Sequence, residues 1–120
     1  MAKRILIIED DPDILEILGI IFQDEGFNII AKSSGMSALE IGLLHPDLIL
    51  LDVRITGFEK TGAQICTELK TLAFTQRLPV LLFSAENGLE QIASQCGADG
   101  HISKPFEIGR LVSKVWEMIK

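Results

Sequence analysis

The chain has 120 residues, 48% hydrophobic and 23% charged, a balance that suits one domain spanning 1–120 and argues against wholesale disorder. Its 17 acidic residues against 11 basic ones leave a net charge of −6 without a basic stripe, which argues against direct nucleic-acid binding and suits a site that gathers cations. Apolar runs such as Ile5 to Ile8 and Leu48 to Leu51 fall far short of the ~20 residues that span a bilayer, and no signal peptide precedes them, so a cytoplasmic protein without membrane contact is expected.

In chain order, Arg4–Ile8 is an apolar run of strand length. Asp11-Pro12 then supplies a helix cap followed by proline at the first helical position. Ile14, Leu15, Ile17, Leu18, Ile21 and Phe22 keep helical period up to Gly26, a helix-stopping glycine. Phe27–Ala31 is predicted as the second strand, and Met36–Leu44 as a helix stopped by His45-Pro46. Asp47–Val53 carries Leu48-Ile49-Leu50-Leu51, apolar on both faces, as a parallel strand covered by helices on both sides requires. A helix is predicted from Gly62, with Ile65, Cys66, Leu69 and Leu72 on one face. Pro79–Phe83 is the fourth strand, and a short helix through Leu89, Ile92, Ala93 and Cys96 ends at Gly97. Gly100–Ser103 is a weak fifth strand. Ile108, Leu111, Val112, Val115, Trp116 and Ile119 form the last helical stripe. Cys66 and Cys96 lack metal-ligand spacing and are expected to pack as small hydrophobes.

The alternation predicts an α/β fold, (βα)5 and doubly wound: a parallel sheet with helices on both faces. Ligands of such sheets collect at the carboxyl ends of the strands. There the sequence offers Glu9-Asp10-Asp11 after the first strand, Asp52 at the end of the third, Ser84-Ala85 after the fourth and Lys104-Pro105 after the fifth. Crowded carboxylates call for a hard divalent cation. Asp52 is a candidate nucleophile, because a carboxylate forms an acyl phosphate. Lys104, the Ser84 hydroxyl and the cation would then stabilise the oxygens of a transferring phosphoryl group. Asp11 itself is better read as the helix cap.

Four segments carry a resemblance: Ile7-Ile8-Glu9-Asp10-Asp11, Asp47-Leu48-Ile49-Leu50-Leu51-Asp52, Leu82-Phe83-Ser84-Ala85 and Gly97-Ala98-Asp99-Gly100-His101-Ile102-Ser103-Lys104-Pro105-Phe106. In this order and at these spacings the chain resembles the response-regulator receiver domain over essentially its whole length. The resemblance implies a flavodoxin-like sheet in the order 2-1-3-4-5. It implies phosphorylation of Asp52 by a sensor histidine kinase or histidine phosphotransfer protein, with Mg2+ (Mn2+ as a substitute) as cofactor. Asp10 and Asp52 match direct metal ligands, Glu9 a ligand acting through water, and the backbone carbonyl of Arg54 a further one. Lys104 matches the phosphate-binding lysine, joined to Pro105 by a cis peptide bond. Ser84 and His101 match the pair that shifts on activation and changes the face around the fourth helix, fifth strand and fifth helix for an output domain or target protein. Such a domain is not an enzyme beyond its own phosphotransfer and autodephosphorylation, and is a monomer or a phosphorylation-dependent dimer.

Three departures from the family pattern stand out. Thr56 and Lys60 occupy positions usually held by proline and glycine, and Gly62 begins the next helix, so the loop after Asp52 reads as two residues longer. His101 replaces the usual Tyr or Phe. Arg54 is bulky enough to lie over the site, and Glu86 is placed to pair with it. Two other classes are weighed against the receiver. A Mg2+-dependent aspartyl-phosphate phosphohydrolase needs a second acid two residues past its nucleophile, where this chain has Arg54. A binding module, either a receiver-like fold working without phosphorylation or a flavin binder, fits less well. The acidic, serine and lysine set is intact, and no phosphate-cradling loop follows the first strand.

Overall fold

Strands that are apolar on both faces belong in the middle of a sheet, and the three most apolar runs take the three inner places. The computed structural model describes residues 2–55 and 57–119; the departure at Thr56 therefore lies outside the described residues. The elements are β1 (Arg4–Ile8), α1 (Pro12–Asp24), β2 (Asn28–Lys32), α2 (Ala38–Leu43), β3 (Leu48–Asp52), α3 (Gly62–Thr71), β4 (Val80–Ser84), α4 (Leu89–Cys96), β5 (Gly100–Ser103) and α5 (Ile108–Met118). The five strands pair in parallel in the order β2-β1-β3-β4-β5, the flavodoxin-like order implied by the resemblance. Every residue of β3 and β4 is buried, whereas the edge strand β2 is largely accessible.

Side chains alternate across the sheet, as period-2 geometry demands. Ile5, Ile7, Leu48, Leu50, Leu81 and Phe83 pack with Leu18 and Phe22 of α1 and Leu111 and Val115 of α5. Leu6, Ile8, Ile49, Leu51, Val80 and Leu82 face the other way, onto Ile41, Ile65, Leu69 and Ala93 of α2, α3 and α4. Two helices cover one face and three the other. Both thiols lie in the second core, where burial pushes Cys66 upward and its Sγ–H donates to the Cys96 carbonyl at 3.5 Å.

The helix starts follow from their caps. The Asp11 carboxylate accepts from the Asp13 and Ile14 amides, and the Ser37 and Thr61 hydroxyls form reciprocal capping boxes with Glu40 and Gln64, devices worth ~1 kcal/mol each. The Ser37 box sets the start of α2 at Ala38 instead of Met36. β2 begins at Asn28, one residue later than its hydrophobic pattern suggests. Phe27 is spent on closing α1 instead: its amide donates to the Phe22 carbonyl and its ring meets Trp116 with centroids 4.6 Å apart. β4 begins at Val80 because Pro79 has only a carbonyl to offer, which accepts from the Ile49 amide.

Candidate functional site

β1 and β3 are neighbours, yet the chain leaves β1 for β2 on one side and reaches β3 on the other. Such a reversal opens a crevice above the carboxyl ends of the two strands. Glu9 and Asp10 directly follow β1, and Asp52 closes β3. All three bring a carboxylate oxygen to within 4.8 Å of one another. Glu9 and Asp52 are 1% and 5% exposed, so their mutual repulsion is poorly screened.

Lys104 answers that repulsion from the far end of the chain. Its Nζ lies 3.2 Å from Glu9 Oε2 and 3.3 Å from Asp52 Oδ2, and 4.7 Å from the centre of the Phe83 ring. Its amide donates to the Ser84 carbonyl at 2.9 Å, and the bond to Pro105 is cis, as the resemblance implied. One ammonium shared by Glu9 and Asp52 does not offset their crowding. Burial first, and then the hydrogen bond and charge of Asp52, push Glu9 up to about 8, against the pull of Lys104. The direction of that shift favours a proton on Glu9, which would remove a like charge from beside Asp52.

The mouth of the site is a cleft of about 350 Å³ lined by Asp52, Arg54, Ser84, Glu86, Asn87 and Lys104. The buried Ser84 hydroxyl accepts from the Glu86 amide at 3.1 Å. The Arg54 amide donates to Asp52 Oδ1 at 3.3 Å. Its exposed guanidinium pairs with the Glu86 carboxylate, the partner that position 86 suggested. The structure thus assembles Glu9, Asp10, Asp52, Arg54, Ser84 and Lys104 in one place.

His101 stands apart from that cleft. It is exposed on β5, in register with Leu82, and borders a separate groove with Phe106 and Arg110. Two neighbours escaped the sequence reading. Phe83, under the Lys104 ammonium, was read only as a strand residue. Gly62 lies against the backbone of Asp52; glycine directly after a Thr61 cap, where better helix formers are available, was its one signal.

The site and fold have clear relatives. The family model described as the response regulator receiver domain matches residues 5–116. The DNA-binding response regulator MtrA of Mycobacterium tuberculosis is 32% identical over 96% of this chain and 50% of its own length. The phosphate regulon transcriptional regulatory protein PhoB of Escherichia coli is 33% identical over 96% of this chain and 51% of its own. The chain thus spans about half the length of the curated relatives it matches. Among solved structures, the chemotaxis protein CheY4 of Vibrio cholerae shares the fold with a TM-score of 0.85 at 21% identity, covering 98% of this chain and 99% of that one. The response regulator TrrA of Thermotoga maritima, solved in complex with Mg2+-BeF, superposes with a TM-score of 0.83 at 28% identity over 97% of this chain and 98% of that one. With the family model matched from β1 into α5, the chain belongs to the response regulator receiver domains of two-component systems.

Proposed function

We propose that Asp52 accepts a phosphoryl group from a phosphohistidine donor, supplied by a sensor histidine kinase or a histidine phosphotransfer protein. The observation that carries this reading is the contact of Lys104 with both Asp52 and Glu9 at the floor of an open cleft. In the transfer the phosphorus–nitrogen bond of the donor breaks as a bond forms from a carboxylate oxygen of Asp52 to phosphorus. The bonding pair stays with the imidazole nitrogen, which takes up a proton. Lys104 stabilises the charge on the phosphoryl oxygens, and Ser84, whose hydroxyl already lines the cleft, donates to another of them.

The donor set also fits Mg2+: three carboxylates with oxygens within 4.8 Å, hard ligands of the kind this ion takes one or two at a time. Asp10 and Asp52 would bind it directly, Glu9 through water, and Arg54 through its carbonyl. When bound, the ion neutralises charge on the phosphoryl oxygens. The TrrA structure, which holds Mg2+-BeF, supports that choice. Turnover is confined to the domain's own phosphorylation and hydrolysis, so it acts as a switch instead of an enzyme on a separate substrate. Drawing Ser84 toward the phosphoryl group alters packing beneath β4, and the outcome is read on the face of α4, β5 and α5, where His101 stands.

Incubation with acetyl phosphate and Mg2+ should add one phosphate by intact mass, and Asp52→Asn should abolish it. Labelling of Asp52→Asn at the parent's rate refutes the assignment.

A further inference from the structure

Ten glycines occur in the chain, and one of them is held against the backbone of the residue proposed to react. A Cβ built on Gly62 would lie 2.0 Å from the Asp52 carbonyl oxygen, 2.8 Å from its carbon and 2.9 Å from Val53 Cα. Elsewhere among the described glycines, the nearest atoms that a Cβ would meet belong to side chains, or nothing lies within 4 Å; the Phe58 ring stands over Gly35 and the Phe74 ring over Gly42. A ring can turn away. The Asp52 carbonyl has less room to move, because Asp52 is held in register with Phe83 of β4 and follows Leu51, which is paired with both β1 and β4. Gly62 does not sit at positive φ, so space, and not backbone conformation, is what demands glycine here.

We infer that Gly62 is a positioning residue for the phosphoacceptor. The clamp has two parts. The Gly62 amide donates to the Val53 carbonyl at 2.7 Å, while its Cα rests on the Asp52 carbonyl. Between them these contacts hold the peptide units that follow Asp52. That turn aims the Arg54 amide at Asp52 Oδ1 and also sets the direction of the Arg54 carbonyl. The connection from Asp52 to α3 has freedom to lose on closing, and Gly62 with its Thr61 cap ends that freedom beside the reacting carboxylate. Any side chain at position 62 must push the Asp52 carbonyl and α3 apart by about 1 Å to reach the 3.0 Å at which real Cβ contacts begin. A 1 Å misplacement of a reacting group costs roughly 100-fold in rate.

The inference rests on the phosphoacceptor reading of Asp52, and its test separates the two. Phosphoramidate with saturating Mg2+ is the donor; its phosphorus–nitrogen bond breaks, ammonia leaves, and Asp52 gains the phosphoryl group. Gly62→Ala and Gly62→Ser should both lower the labelling rate at saturating donor by about 100-fold, with KM for the donor little changed. Gly19→Ala, where nothing lies within 4 Å of the added carbon, should label like the parent. Labelling of Gly62→Ala within twofold of the parent overturns the inference. If Gly62→Ala does not unfold cooperatively, a glycine inserted between Lys60 and Thr61 loosens the clamp without adding a Cβ. Slower labelling then supports the inference and an unchanged rate overturns it. A readout independent of phosphorylation is the amide resonance of Arg54, which should move in the folded Gly62 variants or the insertion variant and hold still in Gly19→Ala. A parent that takes no label removes the phosphoacceptor reading and leaves this second readout to decide; an Arg54 amide unmoved by the Gly62 changes overturns the clamp.

Discussion

The two ends of the sheet use the same ingredients differently. At the amino ends, Asp47 Oδ2 accepts from the Arg4 amide at 2.7 Å, and Asp99 Oδ2 accepts from the Val80 amide at 2.8 Å. Lys70 completes that end by donating to Asp99 at 2.7 Å and to the Leu78 carbonyl at 2.8 Å. Each acid there is satisfied by a backbone donor, and the lysine is shared with a carbonyl. At the carboxyl ends, the Lys104 ammonium is shared between two carboxylates, and Glu9 and Asp52 press on one another. A lysine beside an aspartate near a sheet is therefore no sign of a site by itself. Buried carboxylates crowded closely enough to raise the pKa of one of them are the sign, because that arrangement gains by taking up a cation or a phosphoryl group.

The sharpest test of this contrast exchanges the two lysines for methionine. Lys104→Met should slow labelling of Asp52 by about 100-fold or more, the usual cost of removing a donor aimed at developing charge. Lys70→Met should leave labelling unchanged and lower stability in urea by ~1–3 kcal/mol, because the groups it bonded lose their donor. If both variants lose stability alike and neither slows labelling, the two ends do not differ in the way described.

A second test reads the crowding directly. Glu9 is neutral in the folded and unfolded chains below its ordinary value of 4.5 and ionised in both above about 8. Between these limits the unfolded chain has released the proton and the folded chain has kept it. Stability in EDTA should therefore fall as pH rises through this window, by up to about 1.4 kcal/mol per pH unit from this group. Glu9→Gln should remove that slope, while Asp99→Asn, at the relaxed end, should retain it. A parent and Glu9→Gln with parallel pH profiles would show that the carboxylates are not under strain.

The smallest effect concerns the mouth of the cleft. Arg54, with its side chain 81% exposed and paired to Glu86, borders the cleft, where under the proposed function a hydrolytic water would approach Asp52. An exposed pair is worth ~0.2–1 kcal/mol, so Arg54→Ala should shorten the phosphorylated lifetime by no more than about fivefold. An equal or longer lifetime removes Arg54 from that role.

Much of this was legible in the chain itself, for identifiable reasons. Leu48-Ile49-Leu50-Leu51 is apolar on both faces, and only an inner strand of a helix-covered parallel sheet accommodates that. The residues after each run were legible as well, since a strand's end in the sequence is its end in space. Boundaries were less so: β2 and β4 start one residue late because Phe27 and Pro79 answer to a helix end and a missing amide, which no period reveals. The pairing of Arg54 with Glu86 was legible as two long side chains of opposite charge, each two residues beyond a strand-end group. Asp47 and Asp99 were not separable from Asp52 by type, since all three are aspartates at strand ends.

By itself, then, the sequence determined the succession of elements, the apolar runs that seek the middle of the sheet, and the set of polar residues released at one rim. Those follow from local periodicity and from what cannot be buried. The tertiary structure alone decided which of those residues meet: Lys104 with Glu9 across 95 positions of chain, three carboxylates within 4.8 Å, and Gly62 against the carbonyl of Asp52. Such meetings depend on the order and register of strands and on the path of a loop. Distances of a few ångströms between remote residues have no image in local pattern, and they are what turn a list of acids and a lysine into a charged site.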